Sequence, residues 1–188
     1  MCIRDSDYSL FVKLFYFMTV TTNKCILTNR HVSESYQSNF ILDIPIPKKN
    51  GECTLENCID YYFKPVKFEG DNALFDESKK EKVNCIQTTQ IWNLPEILII
   101  TLKRFSYDGR KNKTLVRFSC DTINMNNYVC GYNRIYSYEL YGVCNHSGGV
   151  SGGHYTSFVK HFTDWYHYND TSVGHVKSPE QIVTPMAY

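Results

Sequence analysis

The sequence predicts an α+β fold, mostly antiparallel strand with one clear helix. Three observations carry this expectation. Fifteen tyrosines, eleven phenylalanines and two tryptophans in 188 residues favour pleated, half-buried surfaces. Short alternating or fully apolar runs, bounded by Pro, Gly, Asn and Asp, recur along the chain. Only one segment shows a helical period behind a capping residue. A chain of this length buries roughly 70% of the surface its unfolded form exposes, enough for a real core.

Residues 14–27 and 36–46 read as strands. The second, YQSNFILDIPI, alternates and stops at Pro45 and Pro47, because proline has no N–H for a ladder. Thr54 is suited to cap the helix, in which Leu55, Cys58, Ile59, Tyr62 and Phe63 share one face until Pro65 ends it. Asp76 to Lys82, DESKKEK, reads as a charged turn or a short solvated strand. Ile97 to Leu102 reads as a buried central strand, an apolar run between Pro95 and the turn-forming Ser106-Tyr107-Asp108-Gly109. Strands near 113–119, 136–145, 154–161 and 165–169 complete the sheet. Pro185 to Tyr188 reads as the opening of a further apolar segment and the first ten residues show no structural role, so both ends read as cut.

Composition narrows the function. A net charge of +1, with both signs interleaved, speaks against a nucleic-acid or membrane partner. Leu10 to Val20 is apolar, but it is short and interrupted by Lys13, which suits neither a signal peptide nor a membrane span. Eight cysteines without recurrent spacing suggest free thiols in a reducing cytosolic or nuclear setting. On that reading the Asn-x-Ser/Thr triplets at Asn112, Asn145 and Asn169 are chance matches.

The most informative run is Tyr138 to Val173. His154 heads an apolar strand after a glycine-rich loop, and a second strand ends in Trp165-Tyr166-His167-Tyr168 before Asn169-Asp170. A histidine held beside a short amide or carboxylate is two-thirds of a nucleophilic triad, since the base needs a partner to fix its tautomer and orientation. For His154 to face Asn169 across a hairpin, the centre must lie near residues 161–162 with Phe162 in the loop, although Thr163-Asp164 is itself turn-like. His146 reads as a strand-end histidine and His161 as a surface one. Trp165 reads as a packing anchor, Tyr166 and Tyr168 as alternating strand aromatics, and Lys103-Arg104 as a strand's exit to solvent. A metal-dependent hydrolase built on His146 and His154 would lack a third ligand at suitable spacing.

Three blocks resemble the ubiquitin-specific protease family. Ile91 to Phe105, followed by Ser106-Tyr107-Asp108-Gly109, is similar to its Leu-Pro-x-x-Leu-Ile-Ile-x-Leu-Lys-Arg-Phe strand. Tyr141 to Tyr155 resembles its histidine box, with Asn-His-x-Gly and Gly-Gly-His-Tyr elements. Trp165 to Val173 resembles its Trp-x-x-Phe-(Asn/Asp)-Asp-x-x-Val box, with Tyr168 in place of Phe. Weaker similarity runs from about Leu14 to the C-terminus, including Asp43 to Pro47 and the Thr54 helix.

The resemblance implies a papain-like cysteine peptidase: about residues 14–90 as fingers with a connecting helix, about 91–188 as palm, and the helical thumb that carries the nucleophile largely absent. It implies that His154 is the general base, that Asn169 orients it, and that Asp170 either helps orient it or supports the oxyanion site. Gly152, Gly153 and Tyr155 would border the channel for ubiquitin's Gly-Gly tail, where small residues let an extended peptide come close. Ser147–Gly153 and roughly Met125–Tyr136 would be mobile loops over it.

Two departures matter. The family's Gly-Asn-Thr-Cys box is absent, and Cys53, at the head of the helix, has no such surroundings and reads as a buried thiol. The nucleophile is therefore expected outside this chain, and the chain alone is expected to be inactive. The positions matching the family's two Cys-x-x-Cys pairs read Cys25-Ile26-Leu27-Thr28 and Asp76-Glu77-Ser78-Lys79, which do not make a tetrahedral zinc shell. No metal or other cofactor is expected. Ubiquitin and ubiquitinated proteins are the implied partners, and the alternative is a thiol-less module that holds ubiquitin without cutting it.

Overall fold

The computed structural model describes residues 9–48, 51–131 and 136–188. In chain order the elements are α1 (Leu10–Phe15), β1 (Phe17–Cys25), β2 (His31–Asn39), β3 (Leu42–Pro45), β4 (Cys53–Thr54), α2 (Leu55–Phe63), β5 (Val66–Phe68), β6 (Leu74–Asp76), β7 (Glu81–Val83) and β8 (Cys85–Asn93). They continue with β9 (Ile100–Lys103), β10 (Val116–Arg117), β11 (Thr122–Asn124), β12 (Ser137–Glu139), β13 (Gly142–Gly149), β14 (Gly152–His161), β15 (Asp164–Asn169) and β16 (Ser172–Val176). The chain divides into two units, each assembled from separate stretches of sequence.

The first unit takes its residues from Met1–Leu42, Phe63–Ile99 and Met125–Tyr136. Its sheet has the order β2-β1-β8-β5, with antiparallel neighbours throughout. Phe17, Val20 and Cys25 of β1 are buried, as are Cys85 and Ile91 of β8. The strand expected over 14–27 is shorter than its sequence suggested. Ser9 caps a helical turn instead, its Oγ accepting from the Val12 N–H at 3.2 Å, and α1 occupies Leu10–Phe15. The strand expected over 36–46 is likewise two strands. β2 ends where the Asn39 amide donates to Thr19 Oγ1 at 3.1 Å and to the Gln37 carbonyl at 3.0 Å, and β3 follows after a bend.

β6 and β7 form a hairpin whose turn is the charged Glu77–Lys80 stretch, as its composition predicts. Asp76 at its base is buried. Its carboxylate accepts from the Ser78 N–H at 2.9 Å, from Ser78 Oγ at 2.6 Å and from the Arg30 guanidinium. Lys80 closes the turn at φ +57°, its N–H donating to the Asp76 carbonyl at 2.8 Å.

The second unit takes its residues from Asp43–Tyr62, Ile100–Asn124 and Ser137–Tyr188. Its centre is the antiparallel meander β13-β14-β15-β16. Phe158 from β14, Trp165 from β15, Val176 from β16 and Ile182 form its core, flanked by Phe118, Cys120, Leu140 and Val143. Trp165 is thus the anchor its sequence position suggested. Burying side chains of this size contributes about 1.5–3 kcal/mol each. β16 was not expected, because Ser172, Gly174 and His175 give it no apolar alternation, and its outer edge is exposed.

Thr54 caps α2 as predicted. Its Oγ1 accepts from the Asn57 N–H at 3.2 Å while Asn57 Oδ1 accepts from the Thr54 N–H at 3.3 Å, a reciprocal pair of the capping-box kind. Cys58 and Ile59 on its apolar face are fully buried.

The run Ile97–Leu102 is not one buried central strand. Only Ile100–Lys103 is strand, paired with β3 in a two-stranded sheet, and Ile99 is 38% exposed. The chain passes from one unit to the other between Ile99 and Ile100, which divides a run that reads as continuous in sequence. The strand expected at 113–119 contracts to β10, which pairs in parallel with β4, and the one expected at 136–145 becomes β12 and the start of β13.

Candidate active site

The site is built on the β14–β15 hairpin. Its ladder runs from Ser157↔Tyr168 to His161↔Asp164, leaving Phe162-Thr163 as a two-residue turn. Phe162 therefore lies in the loop, at φ +54°, as expected. The centre, however, falls between 162 and 163, one position beyond the one expected. Extending the register places Asn169 opposite Thr156 rather than His154. Because side chains alternate with period two, His154 and Thr156 share a face, so His154 and Asn169 are diagonal neighbours across the pair. Diagonal neighbours are within reach of long side chains, and His154 Nε2 lies 2.6 Å from Asn169 Oδ1.

An amide oxygen can only accept, so the Asn169 contact makes Nε2 of His154 the protonated ring nitrogen. Nδ1 is then the ring nitrogen that keeps its lone pair. Asp170 occupies the turn after β15 at φ +49°, with its Oδ2 4.0 Å from the same Nε2. That is a Coulombic distance rather than a hydrogen bond, so the ring is bonded to Asn169 and has the Asp170 carboxylate beside it. His154 and Asp170 are both open to solvent, with side chains 46% and 78% exposed. Among the described residues, only the Asn169 and Asp170 side chains come within hydrogen-bond or ion-pair range of the His154 ring.

The residues expected to border a peptide channel lie on β14 beside His154. Tyr155 is 57% exposed, a large ring left open to solvent. Gly152 opens into free space, whereas a Cβ on Gly153 would meet Ser147 O at 2.2 Å and His146 Nε2 at 2.3 Å. Gly153 is therefore small because the protein's own β13 fills the space. The stretch 147–153 is not a loop: β13 and β14 stay paired to Gly149↔Gly152 around the turn Val150-Ser151. Of the other expected loop, residues 126–128 form a 3-10 turn, and residues 132–135 lie outside the described residues.

Two residues differ from the sequence expectation. His146 is not a strand-end residue; it sits within β13, only 3% exposed. Lys111 Nζ stands 3.0 Å from its Nδ1 and also donates to its carbonyl. Burial first, and the Lys111 ammonium second, hold its imidazole below the ordinary histidine range. The signal was present: a hairpin centred on Val150-Ser151 puts His146 opposite Tyr155. Arg104 does not mark an exit to solvent. It is 1% exposed and donates to the carbonyls of Asn112 (3.1 Å), Thr114 (2.9 Å) and Ala187.

Cys53 is a buried thiol, 2% exposed, with its sulfur 3.7 Å from that of Cys58. Burial, together with the Cys53 thiol beside it, pushes Cys58 up to about 12, so it stays protonated at neutral pH. At the positions matching zinc-binding pairs, Asp76 is taken by Arg30 and Ser78. Among the described residues no group of three or more His, Cys, Asp or Glu converges on a common point. No helix of the described residues is long and apolar enough to cross a membrane. Of the glycosylation triplets, Asn145 is buried and bonded to Thr184, and Asn169 is engaged by His154.

The model of the ubiquitin carboxyl-terminal hydrolase family matches residues 4–188. Ubiquitin carboxyl-terminal hydrolase 9 of Arabidopsis thaliana is 33% identical over 176 residues, which cover 86% of this chain and 19% of that protein. Ubiquitin carboxyl-terminal hydrolase 4 of Mus musculus is 33% identical over 162 residues, covering 83% and 17% respectively. The chain thus spans about a fifth of the length of such relatives. Among solved structures, the SAGA Ubp8/Sgf11/Sus1/Sgf73 DUB module bound to ubiquitin aldehyde contains a chain of the same fold. The TM-score is 0.82 at 24% identity, over 98% of this chain and 42% of that one.

Proposed function

Given that the chain belongs to the ubiquitin carboxyl-terminal hydrolase family, we propose that it is the base-bearing part of a thiol deubiquitinase. The parent enzyme hydrolyses the bond after ubiquitin's C-terminal glycine. The observation that carries the reading is the 2.6 Å contact between His154 Nε2 and Asn169 Oδ1. It fixes the tautomer in which Nδ1 accepts the proton of an attacking thiol and later returns it to the leaving lysine amine. An amide suffices in the third position because a thiolate–imidazolium pair compensates its own charge, leaving the partner to set ring orientation. Asp170 assists from the adjoining turn. Tyr155 and the open face at Gly152 flank the path of the Gly-Gly tail, with Gly153 forming its floor. The attacking thiol comes from polypeptide outside these 188 residues. The first unit serves as fingers and the meander of the second as palm. The interleaved charge and the cysteines without recurrent spacing support a cytosolic or nuclear setting.

The test is a fluorogenic ubiquitin substrate together with a ubiquitin titration followed by NMR. The purified chain is expected to show no turnover while ubiquitin shifts the resonances of Tyr155 and His154. Turnover abolished by Cys53→Ala would overturn the assignment of the nucleophile. Absence of any ubiquitin-dependent shift at the site would overturn the substrate assignment.

A further inference from the structure

The His146 ring packs against the residues on both sides of His154 in β14. Its Nε2 lies where a Cβ on Gly153 would come to 2.3 Å, so the ring rests on that bare Cα. Its face lies 4.6 Å from the Tyr155 ring centroid at 33°. Gly153 and Tyr155 immediately precede and follow His154. The ring is itself fixed from behind. Lys111 Nζ donates to Nδ1 at 3.0 Å and to the carbonyl of the same residue, while the His146 N–H donates to the Met186 carbonyl at 2.9 Å. Phe105 and Tyr188 pack at 5.8 and 5.9 Å between centroids. A second strut runs beside it, from Ser147 Oγ to the His154 carbonyl at 3.3 Å.

These contacts define one chemical state. The lysine ammonium can only donate, so Nδ1 of His146 accepts and its proton resides on Nε2, on the side of Gly153. The ring is too buried to act on a substrate and has no contact with Asn169 or Asp170 among its hydrogen bonds. Its bonds and packing converge on the backbone that carries the base. His154 itself is half-exposed and tethered on one side by a single amide, so the angle at which its ring leaves β14 depends on that backbone.

We propose that His146, anchored by Lys111, is a positioning residue that sets the orientation of His154 through Gly153 and Tyr155. The inference rests on the His154–Asn169 pair acting as the base and its orienter. It adds that the pair is held from beneath by a neutral, lysine-tethered imidazole. A side chain that fills the same volume without accepting from Lys111 would support the fold but hold the ring less firmly.

The test is nitrogen NMR of the 188-residue chain labelled at histidine, which reads the tautomer of each ring without needing turnover. In the unsubstituted chain His154 is expected as the Nε2–H form. In His146→Ala the ratio of Nε2–H to Nδ1–H at His154 is expected to fall by about threefold or more, the scale of one weakened hydrogen bond. The amide shifts of Phe158 and Trp165 in the core below should hold. Lys111→Met, which spares the buried ring, should lower the ratio in the same direction, and His146→Gln, which still offers Lys111 an acceptor, should recover part of it. A folded His146→Ala chain with an unchanged His154 overturns the proposal. If that variant does not fold, an unchanged His154 in Lys111→Met overturns it instead. Absence of the Nε2–H form in the unsubstituted chain would sink the base-and-orienter pair itself, a result distinct from either.

Discussion

Gly152 and Gly153 are adjacent and look equivalent in sequence, but their surroundings demand different things of them. Nothing lies within 4 Å of a Cβ on Gly152, while one on Gly153 would overlap the Ser147 carbonyl and the His146 ring. Gly153→Ala is therefore expected to lower stability by about 1–3 kcal/mol, the usual cost of overpacking. Gly152→Ala should stay within about 0.5 kcal/mol of the parent. Urea unfolding of the two single variants checks this, and equal losses would refute the packing account. Arg104 invites a similar comparison. Its planar fork serves carbonyls at Asn112, Thr114 and Ala187 that a lysine ammonium cannot reach together. Arg104→Lys is expected to cost about 2–4 kcal/mol, measured the same way. A substitution that merely moved a charge at a strand's exit would cost almost nothing.

Hairpin arithmetic explains why the His154–Asn169 pair is legible at the level of the element although its register is not. Direct opposition of His154 and Asn169 requires partner numbers that sum two below those observed. A difference of two preserves the face, so the pair still meets, diagonally; a difference of one would have separated it. The turn that sets this register carries a strained residue, since Phe162 holds φ +54° while 87% exposed. Phe162→Asn, which tolerates that conformation and gives up little burial, is expected to stabilise the chain by about 0.5–1 kcal/mol in thermal or urea unfolding. The β6–β7 hairpin responds to pH instead. Bonds from Ser78 foremost, then the Arg30 guanidinium, hold Asp76 far below the ordinary carboxylate range. Its folded pKa is thus lower than its unfolded one, so its contribution is complete well above about pH 4 and is lost progressively as pH falls from there toward the much lower folded value. Unfolding at pH 6 and pH 3 should show the parent losing more stability than Asp76→Asn. Equal losses would remove Asp76 from the account.

At the scale of the whole molecule, the sequence shows what local pattern encodes and hides what tertiary contact decides. The α2 helix, the Trp165 anchor and the charged turn after Asp76 follow from caps, apolar spacing and composition. The buried fates of Arg104 and His146 do not, because each depends on segments distant in sequence: Ala187 and Asn112 for one, Lys111 and Met186 for the other. Neither unit is a continuous stretch, which is why a run such as Ile97–Leu102 reads as one strand and serves two bodies. In the first unit Asp76, at one of the positions that the family resemblance aligns with a metal-binding pair, is held by Arg30 and Ser78 instead. The melting temperature of the chain is accordingly expected to be unchanged by EDTA, and a downward shift would reveal a structural ion.

The triplet Asn169-Asp170-Thr171 carries one last implication for how the protein is made. The amide whose oxygen steadies His154 bears the nitrogen to which an oligosaccharyltransferase would attach a sugar. A eukaryotic host that sends the chain through its endoplasmic reticulum would place a bulky glycan against the imidazole, whereas bacterial cytoplasm would deliver it bare.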